Sequence, residues 1–196
     1  QLDINDANSL GTQDGFFSGV VALGDILETE GYRRILMFGS DASFGGRDLY
    51  YRDHGDYEIR DYNYAMEQGL IPEDYYVFWG YEDHKLFDFA KDALIELAVD
   101  DEPFAMTLLT ADTHFEDGYL CEYCDDEFDD QYSNVYTCSD RQVSEFVSWL
   151  MTQDFYDDTT VILAGDHLTM DRDFCGGVSP EYDRRTYVNV LNAAKT

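Results

Sequence analysis

Apolar residues recur along the chain in two rhythms. In "DHKLFDFAKDALIELAVD" (residues 83–100), Leu86, Phe87, Ala90, Leu94 and Leu97 fall at three- and four-residue spacings, which places them on one face of an amphipathic helix. "SDRQVSEFVSWLMTQ" repeats that rhythm with Val143, Phe146, Val147 and Leu150, behind a serine suited to cap the first turn. "FFSGVVALGDILETEGY" reads as a further helix, closing at Gly31. The other rhythm is a short unbroken apolar run of strand length, met in "RRILMFG" (33–39), "PFAMTLLTADTH" (103–114) and "DDTTVILAGDH" (157–167). Buried strands alternating with helices predict an α/β fold, a mostly parallel sheet flanked by helices. Residues 40–65, rich in Gly, Asp and Tyr, keep no period and are expected to form an irregular functional segment with short helical pieces.

Two of the strand runs end alike. One closes on Asp112, Thr113 and His114, the other on Gly165, Asp166 and His167. Ligands of open α/β sheets bind beyond the carboxyl ends of strands, so His114 and the Asp166–His167 pair are expected at one site. Aspartate oxygen and imidazole nitrogen both coordinate divalent cations; the plain alternative is an aspartate capping a turn and a histidine bonded to a carbonyl. Arg47 follows two glycines in "FGGRD", where backbone can approach a ligand and guanidinium suits phosphate, with an ion pair to Asp48 or Asp53 as the alternative. The chain has no P-loop, GxSxG elbow or HExxH segment.

Composition narrows the function classes. With 42 acidic against 12 basic residues, the formal charge of −30 repels nucleic acid and anionic headgroups. A nucleic-acid-binding role is therefore not expected. The 44% hydrophobic and 16% aromatic content argues for a packed core, and 196 residues without repeat or linker for a single domain. No run has transmembrane length and no signal peptide is present, so the chain itself reads as soluble. Cys121, Cys124, Cys138 and Cys175 form an even set. "CEYC" has CxxC spacing, but no second CxxC or HxxxH follows it, which favours disulfides and an oxidising compartment over zinc. Cys121 and Cys124 are too close in sequence for both to serve the same long loop. The expected bridges are Cys124–Cys138 and, as the remainder, Cys121–Cys175.

"GSDASFGGRDLYYRDHGDY", "WGYEDHKLFDFAKD", "LLTADTHFEDGYLCEYC", "YTCSDRQVSEFV" and "DDTTVILAGDHLTM" resemble, in order and spacing, the sulfatase-type phosphoglycerol transferases of the alkaline phosphatase superfamily. That group includes lipoteichoic acid synthase and the phosphoglycerol transferase of osmoregulated periplasmic glucans. The resemblance runs from about Asn8 to Asn192. It implies that Asp166 and His167 are metal ligands and that His114 and Arg47 bind the phosphoglycerol group. A tryptophan common between the family's phenylalanine and arginine is Gly45 here, which implies a different lining of the glycerol pocket. The "DTH…DGY…C" form is similar to the glucan branch.

The family's threonine nucleophile, with a glutamate ligand, lies upstream of "NSL". The resemblance thus implies the C-terminal part of a sulfatase-like catalytic domain over residues 1–196, incomplete at the N-terminal side, without a nucleophile and inactive alone; Thr12 is expected to be a loop threonine. The implied parent enzyme is anchored in the membrane by N-terminal segments and works on the extracellular face of a bacterial cell membrane. It uses a divalent cation, manganese first, with magnesium or zinc as alternatives. Its donor is phosphatidylglycerol and its acceptor a glycan or teichoic-acid-type polymer. Rival readings are a sulfatase or phosphodiesterase of the same superfamily and a noncatalytic glycerophosphate-binding module.

Overall fold

The computed structural model describes residues 15–100, 102–171 and 173–193; "NSL" and Thr12 lie outside them. Its backbone groups into two compact units, one ending at Ala111 and the other beginning at Asp112.

The first unit is built on a three-stranded parallel sheet ordered β2-β1-β3. Strand β1 (Arg33–Phe38) is central, and Ile35, Leu36, Met37 and Phe38 are buried. It pairs with β2 (Glu58–Arg60) through Leu36 opposite Ile59 and with β3 (Phe104–Leu109) through Leu36 opposite Thr107. Parallel neighbours need helical crossovers. Helix α2 (Arg47–Asp53) crosses from β1 to β2, while α3 (Tyr62–Glu67) and α4 (Asp83–Leu97) lead from β2 to β3. In α4 the predicted face is the buried one: Leu86, Phe87, Ala90, Leu94 and Leu97 are all inside. Helix α1 (Leu23–Thr29) precedes β1, and the chain turns out of it at Gly31, φ 77°. Leu36, Phe38, Ala42 and Tyr57 form a core cluster, joined by Tyr51, Ile59 and Leu109.

Two buried polar side chains of this unit, Arg60 and His54, are held by several partners. The Arg60 guanidinium, 7% exposed, meets Glu58 at 2.6 Å and Glu96 at 3.2 Å, and Arg33 reaches the same two carboxylates. His54 is buried with Nδ1 at 3.0 Å from Asp25 Oδ2 and Nε2 at 2.7 Å from the Phe16 carbonyl.

The second unit is organised by helix α5 (Gln131–Leu150). It begins well before Ser139, the serine expected to cap it. Asp130 is the N-cap, its carboxylate accepting the Ser133 N–H at 2.9 Å, which satisfies a first-turn amide and lets the helix start there. Ser139 is interior. The buried stripe extends back accordingly through Tyr132, Val135, Cys138 and Gln142 to Phe146 and Leu150, whereas Val143 and Val147 are half-buried.

Strand β4 (Val161–Ala164) departs from the expectation of a buried parallel strand. It pairs antiparallel with β5 (Val188–Leu191), Ile162 opposite Val190, in a sheet of its own among the described residues. Its exposure alternates, and Ile162 is 61% exposed. An apolar residue at every position is compatible with burial of two faces but does not enforce it. No helix of the described residues is long and apolar enough to cross a membrane.

Candidate functional site

Asp166 and His167 stand directly beyond β4. Asp166 is exposed and His167 half-buried. The Asp166 carboxylate turns back on the chain, Oδ1 accepting the His167 N–H at 2.8 Å. The imidazole Nδ1 lies 2.7 Å from the Leu168 carbonyl. A carbonyl only accepts, so Nδ1 carries the proton and, in the neutral ring, Nε2 presents its lone pair. That lone pair lies 3.4 Å from Asp166 Oδ2. Asp166 Oδ2 and His167 Nε2 thus stand close enough to share one ion, and in the neutral ring the backbone carbonyl on Nδ1 leaves Nε2 as the nitrogen a metal ligand needs. The pair fits a divalent cation. It also contains both features of the plain alternative, a turn-closing aspartate and a histidine on a carbonyl; the tautomer is what makes these compatible with ligation.

His114 sits in the loop after β3, with Nδ1 2.6 Å from the Phe115 carbonyl, so its Nδ1 also donates. This loop closes on itself through the Tyr119 N–H and the Asp112 carbonyl, 2.8 Å apart. Gly118 stands in its tightest corner at φ 64°, where a Cβ would lie 2.6 Å from the Asp112 carbonyl oxygen and 2.8 Å from Val135 Cγ1. Only glycine lets the loop lie against α5 this closely.

The loops bearing His114 and His167 share an anchor that sequence reasoning missed. Tyr132, 1% exposed, donates its hydroxyl to the Thr113 carbonyl at 2.9 Å and meets Thr169 Oγ1 at 3.0 Å. Phe174 packs edge-on against the Tyr132 ring at 4.9 Å and stacks on Tyr136 at 5.7 Å. A tyrosine three residues before a valine on a helix looks like any core residue. The distant partners of its hydroxyl leave no mark in local sequence.

Arg47 belongs to the first unit, at the start of α2. Gly45 and Gly46, at φ 69° and 73°, swing the chain so that the guanidinium folds back over its own turn. Nη2 donates to the Asp41 carbonyl at 2.7 Å and to Ser40 Oγ at 3.1 Å, and Nε donates to the Phe44 carbonyl at 3.1 Å. The cation lies 4.6 Å above the Phe38 ring and 5.5 Å from that of Phe44. Its possible ion-pair partners are engaged elsewhere: Asp48 reaches Arg52 at 3.8 Å, and Asp53 accepts the Phe16 N–H. Burial pushes the Arg47 pKa down and Asp41, Asp61 and Asp48 oppose it, leaving a cation at neutral pH. Nη1 makes no hydrogen bond among the described residues, so one edge of the fork remains for an anion. Trp79, from the segment before α4, meets Phe44 edge-on at 5.2 Å. An aromatic therefore stands beside this turn although position 45 is glycine.

The cysteines divide unequally. Cys124 is bridged to Cys138 of α5, with Cα atoms 5.1 Å apart, within the ordinary range for a disulfide. Cys121 and Cys175 are not bridged to each other, which corrects the expected second pair. Cys121 lies instead against the first bridge, its Sγ 3.6 Å from that of Cys124.

The sequence model of the Sulfatase family matches residues 4–185. Phosphoglycerol transferase I of Xanthomonas axonopodis pv. citri (strain 306) is 33% identical over 174 residues, which cover 86% of this chain and 25% of that protein. Phosphoglycerol transferase I of Escherichia coli (strain 55989 / EAEC) is 28% identical over 174 residues, covering 84% and 22%. The chain thus spans about a quarter of the length of these curated relatives. The lipoteichoic acid synthase LtaP from Listeria monocytogenes superposes with a TM-score of 0.67 at 21% identity, over 79% of this chain and 38% of that one. A protein in the alkaline phosphatase superfamily from Vibrio parahaemolyticus follows at 0.57 and 22%, over 72% and 34%. These structures establish the fold, an alkaline phosphatase-like α/β sheet flanked by helices. On the match of its family model over most of its length, the chain belongs to the sulfatase family.

Proposed function

We propose that the protein to which this chain belongs is a metal-dependent phosphoglycerol transferase, moving phosphoglycerol from phosphatidylglycerol to a glycan or polyglycerolphosphate acceptor on the extracellular face of a bacterial cell membrane. The observation that carries the reading is the 33% identity over 174 residues to a protein named phosphoglycerol transferase I, with Asp166 and His167 in a ligand-competent arrangement. Asp166 Oδ2 and His167 Nε2 would hold a divalent cation, manganese in the first instance. When bound, such an ion stabilises negative charge on a phosphoryl group and on an attacking oxygen. The remaining work falls to positioning. Arg47 offers Nη1 to a phosphate oxygen from a guanidinium held by two backbone carbonyls and two aromatic faces, and we infer that His114 also serves substrate binding.

The test uses the full-length protein with phosphatidylglycerol labelled in its headgroup, a glycan acceptor and manganese. Label should move to the acceptor while diacylglycerol accumulates in equal amount, and Arg47→Ala should lower transfer at least tenfold. Release of free glycerol phosphate regardless of acceptor would replace this reading with a phosphodiesterase. Binding of glycerol phosphate without turnover would replace it with a binding module.

A further inference from the structure

Beside the Cys124–Cys138 bridge stands a third sulfur that the proposed transferase reaction does not use. The ligand atoms of Cys121, Cys124 and Cys138 all lie within 4.8 Å of one another. Cys121 Sγ is 3.6 Å from Cys124 Sγ, and the backbone turn holding them is closed by the Cys124 N–H on the Cys121 carbonyl at 3.0 Å. Both Cys121 and Cys138 are buried. Gln142, one turn beyond Cys138 on α5, directs its side-chain N–H group at both outer sulfurs, 3.3 Å from Cys138 Sγ and 3.6 Å from Cys121 Sγ. The Oε1 atom of this buried amide has no hydrogen-bond partner among the described residues.

We propose that Cys121 is the internal exchange partner of this bridge, so that the disulfide moves between Cys124–Cys138 and Cys121–Cys124 without any outside thiol. The Cys121 thiol loses its proton to solvent as the loop opens, and its sulfur, turned into line with the Cys124–Cys138 bond, attacks Cys124 Sγ. The new S–S bond forms as the Cys124–Cys138 bond breaks, and the electron pair leaves on Cys138 Sγ, which takes up a proton. One thiol and one disulfide stand on each side, so no oxidant or reductant is consumed. Gln142 is placed to donate to whichever outer sulfur is charged, Cys121 before attack and Cys138 after it, which is the requirement for a reversible exchange. The two bridges differ in what they hold. Cys124–Cys138 ties the acidic loop to α5 across a sequence separation of 14. Cys121–Cys124 closes within the loop and leaves α5 untied, on the same helix that carries Tyr132.

The experiment needs only the chain in its oxidised form. It is held folded at about pH 8.5, where a thiol of ordinary pKa is half ionised. It is then quenched in acid urea, alkylated with N-ethylmaleimide and cut with glutamyl endopeptidase at about pH 4, where thiolates are scarce. Cleavage after Glu116, Glu122, Glu127 and Glu145 puts Cys121, Cys124 and Cys138 on separate peptides. Alkylated Cys138 and a Cys121–Cys124 linked pair should accumulate together, at a rate rising about tenfold per pH unit below the thiol pKa. Both should vanish in Cys121→Ser and persist in Cys175→Ser. If the folded wild-type chain keeps Cys121 as its alkylated residue and Cys124–Cys138 as its bridge, while a urea-unfolded control scrambles, the proposal is wrong. Loss of exchange in Cys175→Ser would overturn it equally. The wild-type arm decides the matter even if Cys121→Ser does not fold.

Discussion

Tyr132 and Thr169, 37 residues apart, are bonded hydroxyl to hydroxyl at 3.0 Å. The direction of each bond follows from chemistry. The Thr113 carbonyl can only accept, so it takes the Tyr132 proton; Tyr132 oxygen then accepts from Thr169, whose oxygen accepts the Asp171 N–H at 3.1 Å. One helix residue thus fixes both loops that carry candidate site histidines. Tyr132→Phe keeps the ring against Phe174 and Tyr136 but strands the Thr113 carbonyl and the Thr169 hydroxyl. Urea denaturation should show a loss of about 1 kcal/mol, the net worth of hydrogen bonding to half-buried partners. A midpoint equal to wild type would mean that water replaces the anchor.

Gly118→Ala tests the same loop from its other side. The substitution forces φ 64° on a residue with a Cβ and drives that atom to 2.6 Å from a backbone oxygen, which cannot rotate away. Positive φ alone costs about 1–3 kcal/mol in a constrained position, and the steric contact adds to it. The loss should therefore equal or exceed that of Tyr132→Phe. An alanine variant of unchanged thermal midpoint would show that the loop shifts freely off α5.

Asp130→Ala removes the N-cap of α5. The carboxylate accepts from the Ser133 hydroxyl and, next, the Ser133 backbone N–H, and those bonds hold the Asp130 pKa below the ordinary aspartate range. Thermal denaturation should report a midpoint below that of wild type, as loss of an aspartate cap requires. Wild-type stability in this variant would place the true helix start nearer Ser139.

Local pattern revealed those elements whose stability is local. The α4 face, Leu86 to Leu97, could be read because a single helix side packs on a sheet and spacing alone encodes that. Strand β1 was legible as an apolar run. Strand β2 was not, because Glu58, Ile59 and Arg60 make a strand only through pairing with β1 and the salt bridges of Arg60 to Glu58 and Glu96. The first turns of α5 hid behind "DDQYSNVYTC", whose polar residues carry no helix signal except the Asp130 cap. The β4–β5 pairing and the Tyr132 contacts join residues tens of positions apart, beyond any periodicity. Of the site, residue types and their places at strand ends were visible; the tautomer of His167 and the contacts around Arg47 required coordinates.

His54 gives the fold a pH signature. Both ring nitrogens meet acceptors, Asp25 Oδ2 and the Phe16 carbonyl, which suits the doubly protonated ring. The hydrogen bond to Asp25 raises the His54 pKa against the opposing effect of burial, and the Phe16 carbonyl adds to the rise. Asp25 moves the other way, held down first by the Ala22 N–H and then by His54. A raised histidine contributes stability that is complete below its unfolded pKa of about 6.5 and fades as pH climbs through the folded value. A lowered aspartate contributes above about 3.8 and loses that contribution as pH falls through its folded value. The pair should stabilise most between roughly pH 4 and 6.5. The stability difference between wild type and His54→Gln, followed by urea titration, should shrink as pH rises above neutrality. A difference that stays constant from acid to alkaline pH would mean that His54 is neutral in the fold.

The Asp166–His167 pair separates ligand from scaffold most cleanly, because so little of the fold depends on it. Asp166 is exposed, and a surface pair such as Asp166 Oδ2 to His167 Nε2 contributes about 0–1 kcal/mol. Asp166→Ala and His167→Ala should leave the urea midpoint within that margin. In the full-length protein each should lower manganese content at equal free metal and reduce turnover at least a hundredfold, since Asp166→Ala removes a charged ligand and His167→Ala a neutral one from the same ion. The two substitutions should differ in rescue. His167→Ala leaves a gap that imidazole can enter, restoring a nitrogen ligand, whereas Asp166→Asn keeps an oxygen and the His167 N–H bond but loses the charge that neutralises the cation. Imidazole should therefore raise the activity of His167→Ala, and Asp166→Asn should need more manganese for half-maximal turnover than wild type. Full activity and metal content in both alanine variants would reduce Gly165, Asp166 and His167 to a turn.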